Sequence, residues 1–151
     1  AAKCRDQIAA IENVIERQKI THIQLIDEDV AALVREGRRV SICVLFVREG
    51  RVIGDRNFQF SSVGDMEDVE IFESFLKQFY QGDMFIPGEI IVSQEIPDRD
   101  LIQSWLSERR GTKVRITRPE RGRKRSLIKM ADENARISLS ELIRSKQIGL
   151  I

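Results

Sequence analysis

The side chains of this 151-residue chain that are best suited to chemistry are acidic. Converging carboxylates can hold paired divalent metal ions. Five candidates stand at the predicted ends of strands and helices: Asp27, Asp29, Glu70, Glu73 and Glu95. Asp27 and Asp29 alternate at the start of the first predicted strand and could share a face, whereas Glu95 would have to reach back from a strand end. We expect solvated acids here, with no metal site and no catalytic residue.

A second group of residues is basic. The net charge of +1 hides two opposite segments, because residues 61–100 carry ten acids against two bases and residues 108–129 carry ten bases against two acids. Five cations surround a proline and a glycine at a predicted helix start: Arg118, Arg121, Arg123, Lys124 and Arg125. Such a cluster favours contact with nucleic-acid phosphates. The alternative is a solvated face whose arginines pair with acids of the same domain.

Residues 1–18 have the pattern of an amphipathic helix. Cys4, Ile8, Ile11 and Ile15 recur close to helical spacing, and charged residues such as Arg5 occupy the other face. A narrow apolar stripe must be buried against another surface. We expect the stripe to lack its native companion, so that the helix is either frayed or packed against a neighbouring molecule. The alternatives are a helix that packs on its own domain and a solvated linker helix.

The rest of the chain has the pattern of an α/β protein with a mixed sheet. Strands are predicted over residues 30–35, 40–47, 52–60, 89–92 and 113–117, and helices over 66–80, 98–109 and about 123–144. The first three strands form an antiparallel meander, and we expect the later strands to run parallel to the first. This order, βββαβαβα preceded by the N-terminal helix, is that of the ribonuclease H-like fold.

Composition excludes several other classes of function. His22 is the single histidine, so a His-based metal cluster is excluded, and the isolated glycines form no phosphate-binding loop. No apolar run approaches the roughly 20 residues of a membrane span. Cys4 and Cys43 suit a reducing compartment, so we expect free thiols and a cytoplasmic protein.

Several ordered motifs carry a resemblance to a known family. Residues Ala1, Ala2, Arg5, Asp6, Gln7, Ile8, Ile11 and Glu12 resemble the second helix of the UVR motif, a helical hairpin of the UvrB and UvrC subunits of the bacterial excinuclease. Four later stretches are similar to UvrC after that motif: residues 37–53, FLKQFY at 75–80, IPGEIIV at 86–92 and KVRITRPERGR at 113–123. Arg115, Pro119, Arg121, Gly122, Lys124, Arg125 and Leu127 extend the last of these. The resemblance covers essentially the whole chain.

The resemblance implies a division of the chain and a role in nucleotide excision repair, part of the SOS response to DNA damage. Residues 1–22 would be the C-terminal half of a UVR hairpin with a linker, binding UvrB through Cys4, Arg5, Ile8, Ile11 and Ile15. Residues 23–151 would be a non-catalytic ribonuclease H-like domain that positions damaged double-stranded DNA for dual incision. Full-length members are DNA excision endonucleases, and the resemblance places divalent metal in their nuclease domains, with no cofactor in this fragment.

Two other functions remain open from the sequence. One is a metal-dependent DNA endonuclease that uses Asp27 or Asp29, Glu70 or Glu73, and Glu95. The other is a UVR-bearing regulatory protein that does not bind DNA.

Overall fold

The computed structural model describes residues 26–61 and 65–147, and the elements in them follow the predicted order. The strands are β1 (Glu28–Glu36), β2 (Arg39–Arg48), β3 (Arg51–Phe60), β4 (Glu89–Val92) and β5 (Arg115–Thr117), and the helices are α1 (Asp68–Phe79), α2 (Arg99–Arg110) and α3 (Gly122–Gln147). The predicted strands and helices of this part of the chain are therefore confirmed. The predicted helix over residues 1–18 and the boundary between residues 22 and 23 lie outside the described residues.

The five strands form one mixed sheet in the order β3-β2-β1-β4-β5. β1, β2 and β3 are antiparallel neighbours, and β4 and β5 run parallel to β1. The β2–β3 hairpin turns on Glu49 and Gly50, which have φ angles of 54° and 80°. A two-residue turn with positive φ at both positions matches the twist of the strands it joins. The mixed sheet of a ribonuclease H-like domain is thus confirmed.

Helices cover both faces of the sheet, and strand alternation divides the core between them. One face presents residues such as Leu33, Ile42 and Ile90 to α1 and α2. The other presents residues such as Val30, Leu45 and Ile91 to α3. Because Ala131 and Ala135 of α3 are completely buried, that helix lies close against the strands.

One sequence expectation about a single residue, the free thiol of Cys43, is met in this part of the chain. Cys43 is a buried free thiol on β2, and burial raises its pKa to about 11, so the thiolate is scarce at neutral pH. Trp105 is half-buried on α2 and packs against the core beneath α1 and α2. No helix among residues 26–61 and 65–147 has the length and apolar character needed to cross a membrane.

Candidate nucleic-acid interface

Asp29 lies near the start of β1 and is one of the five acids considered above as metal ligands. Its side chain is 1% exposed, and both of its carboxylate oxygens already accept hydrogen bonds from protein donors. The Tyr80 hydroxyl donates to Oδ2 at 2.6 Å, and Nη1 of Arg48 donates to Oδ1 at 2.9 Å. Tyr80 at the end of α1 and Arg48 at the end of β2 therefore occupy both carboxylate oxygens of Asp29.

The electrostatics of this trio follow from its burial. Burial raises the pKa of Asp29, while the hydrogen bond from Tyr80 and the charge of Arg48 act in the opposite direction. Burial and the neighbouring Asp29 also raise the pKa of Tyr80 well above its usual value. Tyr80 thus keeps its proton across the physiological range and remains the hydrogen-bond donor of the pair.

Two other candidate acids, Asp27 and Glu70, each accept a hydrogen bond from a nearby backbone amide. Asp27 precedes β1, and its Oδ1 accepts a hydrogen bond from the Glu49 amide at 2.9 Å, which joins the chain entering β1 to the β2–β3 turn. Glu70 accepts the Glu67 amide at 2.9 Å in the capping box of α1.

The last two candidate acids, Glu73 and Glu95, contact two other residues. Oε2 of Glu73 accepts the Asp98 amide at 2.8 Å, and Oε1 of Glu95 lies 4.0 Å from Nη1 of Arg118. Within the described ranges, no three His, Cys, Asp or Glu side chains come together as a metal site would require. The geometry of these carboxylates therefore does not fit the two-metal arrangement of the fold's nucleases.

Two of the five predicted phosphate-binding cations are engaged within the domain. Arg123 makes a forked contact with the completely buried Glu28, from Nη2 to Oε1 at 2.8 Å and from Nη1 to Oε2 at 3.3 Å. Nζ of Lys124 donates to Oε2 of Glu89 at 2.7 Å, and Arg115 approaches the same carboxylate at 3.8 Å. These ion pairs fasten the first turn of α3 to the starts of β1 and β4.

The other three predicted cations are left near the surface. Arg118 is half-exposed, and the one ion pair that it forms with a described residue is the long contact with Glu95. Arg121 is exposed and Arg125 half-buried, and neither forms an ion pair with another residue that the structure describes. Since Gly122 begins α3 between them with φ at 84°, the chain turns there and leaves both arginines beside the helix start.

Sequence reasoning missed Tyr80 and Arg48 as partners of Asp29. A signal for Tyr80 was present, because it follows Phe72 and Leu76 at helical spacing on the buried side of α1. A buried tyrosine hydroxyl needs a hydrogen-bond partner. The identity of that partner is set by the packing of α1 on β1, which local pattern does not report.

Replacing Tyr80 with phenylalanine removes one donor to Asp29 and should destabilise the domain in a pH-dependent way. Because the hydrogen bond lowers the pKa of Asp29, its loss raises that pKa further and penalises the ionised carboxylate. We expect Tyr80→Phe to lose about 2 kcal/mol of unfolding free energy at about pH 8 and less in acid, at about pH 4, because Asp29 takes up a proton as the pH falls through its raised pKa. Urea unfolding at the two pH values measures this, and an equal loss at both would contradict it.

Arg123 should matter for stability because its loss leaves Glu28 buried without a counter-charge. We expect Arg123→Met to lower the unfolding free energy by about 3 kcal/mol in urea titrations. The matched control is Arg136→Met on the same helix, which removes a surface pair with Asp132 worth about 0.5 kcal/mol. Similar small losses from both substitutions would show that the Glu28 contact does not anchor α3.

Comparison with known proteins assigns the family. Residues 27–142 match the model of the UvrC ribonuclease H-like domain. The chain is 40% identical over 99% of its length to the UvrABC system protein C of Symbiobacterium thermophilum and 40% identical over 97% to that of Caldanaerobacter subterraneus, covering 24% of each relative. It is also 38% identical over 93% of its length to the corresponding protein of Alkaliphilus oremlandii, covering 23% of it. The chain thus spans about a quarter of the length of these curated relatives, and it belongs to the UvrC ribonuclease H-like domain family.

Proposed function

We propose that this domain is a non-catalytic scaffold in nucleotide excision repair that helps to position DNA for incision by nucleases elsewhere in a UvrC protein. The observation that supports this best is the state of Asp29, whose two carboxylate oxygens are taken by Tyr80 and Arg48. A carboxylate held in this way is a structural group of the core. The relatives' name, UvrABC system protein C, supplies the repair context.

The DNA contact rests on Arg121 and Arg125, which form no ion pair within the described part of the chain, and on Arg118, whose contact with Glu95 is long. Arg121 and Arg125 flank the start of α3, and Arg118 lies just before Pro119. A guanidinium can donate two parallel hydrogen bonds to one phosphate. Such contacts hold a nucleic acid in place without reading its sequence. Arg123 and Lys124 contribute indirectly, because their ion pairs with Glu28 and Glu89 fix the helix start that carries the free arginines.

The remaining parts of the proposal come from the family. UvrB would bind residues 1–22 through Cys4, Arg5, Ile8, Ile11 and Ile15, and damaged double-stranded DNA would bind at the arginines of α3. The scaffold would work in the cytoplasm without a cofactor of its own. Self-association through the N-terminal stripe stays a prediction.

Charge reversal at the two free arginines tests the DNA contact. We expect the Arg121→Glu, Arg125→Glu double variant to bind a bubble-containing duplex about tenfold more weakly at low salt. Its slope of log affinity against log salt should fall by about two, near one unit for each lost phosphate contact. Fluorescence anisotropy across a salt series measures both quantities.

The control for this experiment is Arg136→Glu, a single charge reversal farther along α3 with half the charge change of the double variant, at an arginine that already pairs with Asp132. It should leave the affinity nearly unchanged. Unchanged affinity of the double variant at low salt would remove the phosphate contact and favour the UVR-bearing regulator that does not bind DNA.

A further inference from the structure

An open cleft lies at the end of the sheet where β1 begins and the β2–β3 hairpin turns. Its volume is 490 Å³, and it is lined by Asp27, Arg48, Glu49, Arg51, Ile53 and Phe85. Ile53 is 66% exposed and Phe85 53% exposed. Single exposed apolar residues are ordinary, but two large ones that share a cleft with arginines indicate an interaction site. We call this feature the Phe85 cleft.

The two apolar side chains are held in place by specific features of the backbone. The β2–β3 register shifts between Phe46 and Val47, whose partners are Gly54 and Val52, so Ile53 is the extra residue of a β-bulge. Bulges re-aim side chains and are common beside functional sites.

Phe85 stands on the loop between α1 and β4, and arginines of α2 hold that loop. Nη2 of Arg109 donates to the carbonyl oxygens of Gln81 and Gly82 at 2.9 and 2.8 Å. Nε of Arg110 donates to the Ile86 carbonyl at 2.9 Å. The loop therefore presents Phe85 in a set position, which reduces the ordering cost of binding a partner.

The surface of the cleft fits a flat aromatic ring. The Arg48 guanidinium lies 4.7 Å from the centre of the Phe85 ring and is fixed by its contact with Asp29. Phenyl rings and guanidinium planes are the groups on which nucleobases stack in single-strand-binding proteins. The carboxylates of Asp27 and Glu49 would repel a phosphate inside the cleft, so a base enters it and the backbone stays towards the exposed Arg51.

The cleft and the start of α3 lie at the same end of the sheet. Glu28 pairs with Val47 on one side and with Glu89 on the other, and Glu89 pairs with Arg115. The distance from β2 to β5 along this end of the sheet is three strand spacings, about 14 Å. Three cations lie along this end of the sheet through their contacts with Glu89 and Glu28: Arg115, Arg123 and Lys124. At about 3.4 Å per stacked nucleotide, this distance accommodates roughly four nucleotides.

We propose that the Phe85 cleft binds a base of single-stranded DNA whose backbone follows this end of the sheet towards Arg121 and Arg125. This rests on the proposed function for its phosphate contacts and adds the substrate class, an unpaired strand. Duplex DNA keeps its bases stacked on one another and would use the α3 arginines alone.

Substitution of Phe85 tests the stacking contact in the full chain. We expect Phe85→Ala to weaken binding of a short oligothymidine about tenfold in fluorescence anisotropy, and to leave the affinity for a fully paired duplex unchanged. Phe85→Tyr keeps the ring and should bind as the unsubstituted chain does. Leu101→Ala is the matched control, because Leu101 is 71% exposed on α2 and does not line the cleft. Ile53→Ala is a second cleft variant and should also weaken single-strand binding selectively.

The outcomes separate this proposal from the one on which it rests. If the double variant of Arg121 and Arg125 loses affinity while the two cleft variants bind oligothymidine normally, the stacking site is wrong and the phosphate contact stands. If the cleft variants lose single-strand affinity while the double variant loses none, the phosphate contact is wrong and the stacking site stands. Equal losses of Phe85→Ala on single strands and duplex, or failure of the unsubstituted chain to bind oligothymidine, would overturn the stacking site.

Discussion

Two adjacent carboxylates enter the sheet at the start of β1, and the rest of the domain is organised around the need to satisfy them. Strand alternation sends Glu28 to the α3 face and Asp29 to the α1 face, and both are removed from water. A buried charge without a partner is costly. Arg123 at the start of α3 meets Glu28, and Arg48 and Tyr80 meet Asp29. The positions of helices on both faces are therefore tied to one end of one strand.

This constraint divides the basic residues by function. Arg123 and Lys124 sit in the same run of sequence as Arg121 and Arg125, yet the first two compensate buried acids and the last two remain available to a ligand. The distinction follows from helix geometry, because the first turn of α3 directs Arg123 and Lys124 to the acids at the starts of β1 and β4, whereas Arg121 precedes the helix and Arg125 contacts neither acid. In the proposed scaffold, the same cluster of cations supplies both rigidity and the contact surface.

The sequence predicted the order and type of the described elements because each carries a strong local signal. β2 reads as a run of branched apolar residues, Gly50 marks the hairpin, and α1 and α2 repeat apolar residues at helical spacing. The site depends on contacts that are distant in sequence: Arg48 is 19 residues from Asp29, Tyr80 is 51, and Arg123 is 95 from Glu28. Composition cannot assign one arginine to a buried acid and its neighbour to solvent, and it cannot show that a bulge turns Ile53 outward beside Phe85.

One spectroscopic measurement tests whether protein donors hold both carboxylate oxygens of Asp29. Mn²⁺ added to isotopically labelled protein broadens the amide signals of residues near any bound ion. Because Tyr80 and Arg48 hold both oxygens of Asp29, the amides of Asp29, Val30 and Tyr80 should broaden no more than those of surface residues at the same Mn²⁺ concentration. Selective and saturable broadening of these three signals, lost in Asp29→Asn, would contradict the structural role of this carboxylate and restore the nuclease alternative.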